Sequence, residues 1–125
     1  MIKKEVINIK GRKYGYLLCE QAPFNRPVIL YLHGGPGSPE YPIFQTRLDS
    51  DYLQAFNVCY YDHYGCGLSY VKKPTLTFND LIQDVAVMAT YLIQRYQVGK
   101  VLLVGHSFGS YIGIQAAYQY PELRA

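Results

Sequence analysis

Lys100-Val101-Leu102-Leu103-Val104-Gly105-His106-Ser107-Phe108-Gly109-Ser110 is the stretch on which the reading of this chain turns. Its apolar run, Val101 to Val104, reads as a strand buried on both faces, the kind found in parallel sheets. The run enters Gly105-His106-Ser107-Phe108-Gly109, a G-x-S-x-G sequence. Tyr111, Ile112, Gln115, Ala116 and Tyr118 then recur at near-helical spacing as far as Pro121. A strand, a sharp turn with a central serine, then a helix is the context in which a serine is lifted from the sheet edge as a nucleophile. Such a turn holds the serine in a sparsely populated backbone conformation. Gly105 and Gly109 fit it because a side chain at either position would meet the neighbouring strand or helix. The helix start adds free N–H groups and a positive dipole end beside the hydroxyl. The competing reading is an ordinary strand-to-helix turn whose serine only caps the helix.

A second motif upstream favours the nucleophile. Val28-Ile29-Leu30-Tyr31-Leu32 is another fully apolar run, and it ends at His33-Gly34-Gly35-Pro36-Gly37-Ser38-Pro39. Three glycines and two prolines in seven residues mark a loop with unusual backbone angles. A serine attacking a carbonyl creates an oxyanion that needs hydrogen-bond donors. One donor is expected to be the backbone N–H of Phe108, and the other an N–H of the loop after the third strand, for which Gly35 is the candidate. Each such donor is worth about 3–4 kcal/mol in the transition state.

The remaining segments supply the fold. Glu5 to Lys10 alternates as a half-buried strand, Gly11-Arg12 is read as the turn, and Lys13 to Cys19 as the return strand of a hairpin. Tyr41 to Phe56 carries a loose helical pattern, and Asn57 to Asp62 reads as a short strand. Thr77 to Gln97 is the clearest helix, with Phe78, Leu81, Ile82, Val85, Met88, Ala89, Leu92, Ile93 and Tyr96 on one face. Thr77 is its N-cap with Asp80 at the third helical position, Leu76 and Leu81 are placed as a hydrophobic staple, and Gly99 ends the segment. Strands alternating with helices imply an α/β fold, a mostly parallel sheet with flanking helices and right-handed crossovers. No linker splits the 125 residues into two domains.

Three blocks together carry a resemblance: His33-Gly34-Gly35-Pro36-Gly37, then Asp62-His63-Tyr64-Gly65-Cys66-Gly67-Leu68-Ser69, then Gly105-His106-Ser107-Phe108-Gly109. In this order they resemble the α/β-hydrolase fold, and within it most closely the proline iminopeptidases and related serine hydrolases. The resemblance implies a strand order 1-2-4-3-5, Ser107 as nucleophile, and Gly35 and Phe108 as oxyanion donors. It also implies His33, Gly34, Pro36 and Gly37 as the oxyanion loop, and Gly105, His106 and Gly109 as the elbow. Two departures stand out. The family pattern after the fourth strand is Asp-x-Arg-Gly-x-Gly-x-Ser, and Tyr64 stands in place of the arginine. Iminopeptidases commonly carry Gly-Gly-Ser-Trp-Gly at the elbow, where this chain has His106 and Phe108. A general esterase or amidase therefore stays open beside an iminopeptidase.

The family's order is serine, then an acid, then histidine. After Ser107 there is no histidine, and Glu122 is the only acid. The chain is expected to be the N-terminal half of a hydrolase domain, ending before the sixth strand and inactive alone. Its strand Val101–Val104 would then be an open edge through which copies self-associate. The alternative is a non-catalytic remnant or binding module of the same fold.

The resemblance implies a small-molecule or short-peptide substrate, and composition excludes other partners. A formal charge of +3 with basic residues only in short pairs argues against nucleic acid. The first residues lead into no long apolar segment, which argues against a signal peptide or a membrane span. Three cysteines without framework spacing suit a reducing cytoplasm. Cys59, Asp62, His63 and Cys66 are four possible zinc ligands, but Cys59 lies inside an apolar run, so no metal is expected. No cofactor is expected, since neither G-x-G-x-x-G nor a phosphate-binding loop follows any strand.

Overall fold

The computed structural model describes residues 2–20, 26–34, 55–64, 69–70 and 77–121. Among these, β1 (Ile2–Ile9), β2 (Arg12–Cys19), β3 (Val28–Leu32), β4 (Asn57–Asp62) and β5 (Val101–Gly105) form one sheet in the order β1-β2-β4-β3-β5. β3 pairs in parallel with β4 and β5, whereas β2 is antiparallel to both β4 and β1, so β2 alone runs against the rest. Helix α1 (Phe78–Tyr96) connects to β5, and α2 (Phe108–Gln119) follows it. The helical pattern between Tyr41 and Phe56 falls almost wholly outside the described residues, and so does the staple residue Leu76. No helix among the described residues is long and apolar enough to cross a membrane.

Strand alternation divides the core. Tyr14, Tyr16, Leu18, Val28, Leu30, Leu32, Cys59 and Tyr61 pack beneath α1 and α2, while Leu17, Cys19, Ile29, Val58 and Tyr60 form a smaller cluster on the other face. The same alternation sends Cys59 and Asp62 to opposite faces of β4, so they cannot share a metal ion. Burial pushes the Cys59 thiol well above its ordinary range and that of Cys19 up to about 11. Both behave as small core residues.

The hairpin turn differs by one residue from the sequence reading. Ile9 pairs with Arg12, and Lys10 and Gly11 are the two loop residues, at φ 52° and 80°. A two-residue hairpin that follows the right-handed strand twist needs positive φ at both positions. Lys10 accepts that geometry although it has a side chain. Arg12 consequently belongs to the strand.

Helix α1 begins as its cap predicts, with the Asp80 N–H donating to Thr77 Oγ1 at 3.0 Å. It ends earlier than Gly99: Gln97 takes the left-handed conformation at φ 53°, and its N–H donates to the Ile93 carbonyl. Glycine at that position escapes the Cβ penalty, so Gln97→Gly is expected to raise stability by about 0.5–1 kcal/mol in urea unfolding. Phe78, expected on the buried face, is 61% exposed. Asp84 takes a place on that buried face instead.

Polar links fix α1 to the hairpin. Arg95 donates to Glu5 Oε1 at 2.6 Å and to Tyr91 Oη at 2.8 Å, and Tyr16 Oη donates to Glu5 at 2.8 Å. Tyr96 donates to Glu20, which also pairs with Lys3 at 2.8 Å. The Arg95 hydrogen bond holds the Glu5 carboxyl below its ordinary value of 4.5, against the opposing effect of burial. A lowered carboxylate pKa stabilises the fold above 4.5, and that contribution is lost as pH falls through the lowered value. Glu5→Gln is therefore expected to lose less stability than the parent between pH 5 and pH 3, measured by urea unfolding across that range.

β5 is an edge strand, paired only with β3 among the described residues. Of its apolar run only Val101 is fully buried, and Leu102 is half exposed; the open edge expected for this strand is what the sheet order shows, and burial on both faces does not hold there. Helix α2 turns Gly109, Ile112, Gly113 and Ala116 inward, whereas Ile114 and Tyr118 are 68% and 76% exposed.

Candidate functional site

The site grows from the place where β5 becomes α2. Ser107 has φ 55° and ψ −118°, a conformation that costs a non-glycine residue on the order of 1–3 kcal/mol. Its surroundings enforce it. A Cβ on Gly105 would lie 2.6 Å from the Ser110 backbone, so the helix starts directly over the end of the strand. A Cβ on Gly109 would lie 2.0 Å from the Leu32 carbonyl oxygen, so the same helix also rests on the end of β3. The His106 N–H donates to that carbonyl at 3.1 Å.

The backbone donors around the turn are distributed unevenly. The Gly109 N–H donates to the His106 carbonyl at 2.9 Å, and the Ser110 N–H to the Ser107 carbonyl at 2.9 Å. Among the described residues no acceptor takes the Phe108 N–H. The Ser107 side chain makes no cap hydrogen bond, so the competing reading of a capping serine is not realised. Ser107 is exposed, and its hydroxyl stands beside a free N–H at a helix start.

Leu32 leads into His33-Gly34, where the described part of the glycine-rich loop ends; Gly35, Pro36 and Gly37 lie outside the described residues. His33 Nδ1 donates to the Gly34 carbonyl at 2.6 Å, and its Nε2 accepts from the His63 N–H at 2.9 Å. These partners assign the proton to Nδ1. His63 Nε2 in turn donates to the His33 carbonyl at 2.9 Å, and the two rings lie in contact, tilted by 38° with centroids 3.6 Å apart. Both histidines are buried. Each uses ring nitrogens to hold the other's backbone, tying the exit of β3 to the exit of β4. None of the described histidines hydrogen-bonds the Ser107 hydroxyl.

The turn after β4 is anchored at both ends. The Ser69 hydroxyl donates to the Asp62 carbonyl at 2.6 Å and accepts from the Gly15 N–H at 2.7 Å; residues 65–68 lie between these anchors, outside the described residues. Phe108 packs edge-on to His63 at 6.0 Å and continues into an aromatic cluster with Phe78 and Tyr111. This cluster explains the exposed Phe78: it extends an apolar surface along the rim beside Ser107. Sequence reasoning did not anticipate Asp84, Tyr14 and Arg12, which form a buried charged group behind the turn. The available signal was Asp84 itself, an acid between Leu81 and Met88 on an otherwise apolar helix face.

Comparison with known proteins follows the same lines. The chain is 32% identical over 128 aligned positions to the probable aminopeptidase YbaC of Bacillus subtilis, an alignment covering 97% of the chain and 40% of that protein. It is 35% identical to a proline iminopeptidase of Saccharolobus solfataricus, over 91% of the chain and 36% of that protein. The chain thus spans 36–40% of the length of these curated relatives. A proline iminopeptidase-related protein from Thermus thermophilus superposes with a TM-score of 0.76 at 24% identity, covering 98% of the chain and 42% of that structure. An epoxide hydrolase from Vigna radiata superposes with a TM-score of 0.73, also at 24% identity, covering 98% and 37%. The family model described as alpha/beta hydrolase fold matches residues 27–123, from the start of β3 past the end of α2. The sheet order, the glycine contacts at the elbow and this match agree: the chain belongs to the alpha/beta hydrolase fold family.

Proposed function

We propose that Ser107 is the nucleophile of a serine hydrolase that cleaves an amide or ester bond, with the N–H groups of Phe108 and Gly35 holding the oxyanion. The observation that carries this reading is the backbone of Ser107, held at φ 55° although its hydroxyl caps nothing. Strain kept at an exposed polar group without a local structural use marks a reacting position. Ser107 Oγ attacks the substrate carbonyl and its proton passes to a general base. The carbonyl oxygen, now an anion, accepts from the two N–H groups; collapse breaks the amide or ester bond, the leaving amine or alcohol takes the proton from the base, and water then hydrolyses the acyl-serine to release the acid and restore the Ser107 hydroxyl. His33 and His63 hold each other's backbone, and none of the described histidines hydrogen-bonds the Ser107 hydroxyl, which supports a base from outside the described residues. The relatives named aminopeptidase and proline iminopeptidase favour a short peptide with a free N-terminal residue, proline among them, over a simple ester.

Fluorophosphonate labelling of the intact protein tests the nucleophile. The parent is expected to label and Ser107→Ala to remain unlabelled; equal labelling of the two removes the assignment. Turnover of a chromogenic proline amide beside a chromogenic acetate tests the substrate. Acetate turnover with no proline amide turnover removes the peptidase reading and leaves an esterase.

A further inference from the structure

The hairpin register places Arg12 at the first position of β2, with its guanidinium on Asp84 of α1. Arg12 Nε donates to Asp84 Oδ1 at 2.7 Å and Nη2 to Oδ2 at 2.8 Å, a two-pronged pairing of fork and carboxylate. The Tyr14 hydroxyl donates to the same Oδ1 at 2.9 Å, and the Asp84 side chain is only 2% exposed. The face of the guanidinium lies 3.6 Å from the ring centre of Tyr64. Tyr64 follows His63, whose backbone and ring hold His33 at the mouth of the glycine-rich loop. One guanidinium thus touches α1, β2 and the turn that positions the two histidines.

Tyr64 is also the place where the family pattern carries an arginine. A tyrosine ring and a guanidinium reach similar distances from the backbone, so an arginine at 64 would bring its own head group to the space beside Asp84. We propose that Arg12 supplies, from the hairpin, the guanidinium that the family pattern carries at position 64, and that it is the positioning residue for the His63–His33 pair. The exchange keeps a cation on a buried carboxylate, which cannot stay ionised there alone. Tyr64 completes it by offering the guanidinium a flat aromatic face. Lysine could not do the same work, having neither the planar fork nor the stacking face.

The test is a set of variants of the intact protein, read by thermal melting and by the rate of fluorophosphonate labelling. Only the labelling readout rests on the function proposed above. Arg12→Gln is expected to lower the melting temperature by roughly 10 °C and to slow labelling of the folded protein about tenfold. Arg12→Lys is expected to recover less than half of either loss. The double variant Arg12→Gln with Tyr64→Arg is expected to recover most of both. A double variant no better than Arg12→Gln overturns the exchange, and so does full recovery by Arg12→Lys. Unchanged labelling in a folded Arg12→Gln protein overturns the positioning role. Should Arg12→Gln not fold, the double variant decides: a folded protein supports the exchange, an unfolded one overturns it. If the parent itself does not label, the nucleophile reading fails, while the melting series still decides the exchange.

Discussion

Gly109→Ala is expected to be among the most damaging single-methyl changes this protein can suffer, with a stability loss of about 3 kcal/mol or more and no labelling of Ser107. The added Cβ would lie 2.0 Å from the Leu32 carbonyl oxygen, 2.6 Å from its carbon and 2.7 Å from the His33 carbonyl oxygen. All three are backbone atoms, so no rotamer change relieves the overlap. Ordinary overpacking costs about 1–3 kcal/mol because flexible side chains move aside; here β3 or the start of α2 must shift. Either shift moves the Phe108 N–H away from the loop that begins at His33. Urea unfolding together with fluorophosphonate labelling measures both effects. A variant with parental stability and labelling would show that the helix does not rest on β3 as described. Gly113 makes a useful contrast: its added Cβ would meet only the flexible end of Leu32, at 3.0 Å.

The second large effect separates strain from chemistry at one residue. Ser107→Ala is expected to reduce turnover of the intact protein by roughly 10⁴-fold or more, since no other group replaces an attacking oxygen. Its stability should stay near that of the parent, because alanine inherits the same φ of 55° and the lost hydroxyl capped nothing. Ser107→Gly is expected to be equally inactive but more stable by about 1 kcal/mol, since glycine adopts such angles without a Cβ penalty. A glycine variant less stable than the alanine variant would mean that the backbone at 107 is not under strain.

How much of this was legible beforehand depended on whether a feature is local. The elbow was legible because its glycines, serine, preceding strand and following helix lie in one short stretch, and the steric need for Gly105 and Gly109 is dictated by the turn itself. Strand β3 was legible for the same reason. The hairpin turn was misplaced by one residue because its true first position is Lys10, whose positive φ nothing in a lysine announces. That single step concealed Arg12, since a turn residue is not expected to reach a helix. Asp84 stayed hidden because its partner lies far away in sequence. The exposure of Leu102 was a matter of topology: a run of four apolar residues looks alike in the middle of a sheet and at its edge, and only the strand order implied by the resemblance put this one at an edge. Gly35 lies outside the described residues, and its assignment rests on the motif alone.

The placement of β5 beside β3 has a consequence for when the strained backbone of Ser107 can form. The β1–β2 hairpin can close as soon as its two loop residues exist, because Ile9 and Arg12 are near neighbours. The pairing of Val28 with Val101 must wait for β4 and all of α1 to be made and arranged. Such long closures are the slow steps of folding. Until that closure, nothing presses Gly109 against Leu32, and Ser107 is an ordinary serine in a relaxed chain. Among the described elements the strained backbone of Ser107 is thus expected to form after the hairpin, so a chain halted before β5 pairs with β3 would not yet hold the proposed nucleophile in its strained conformation.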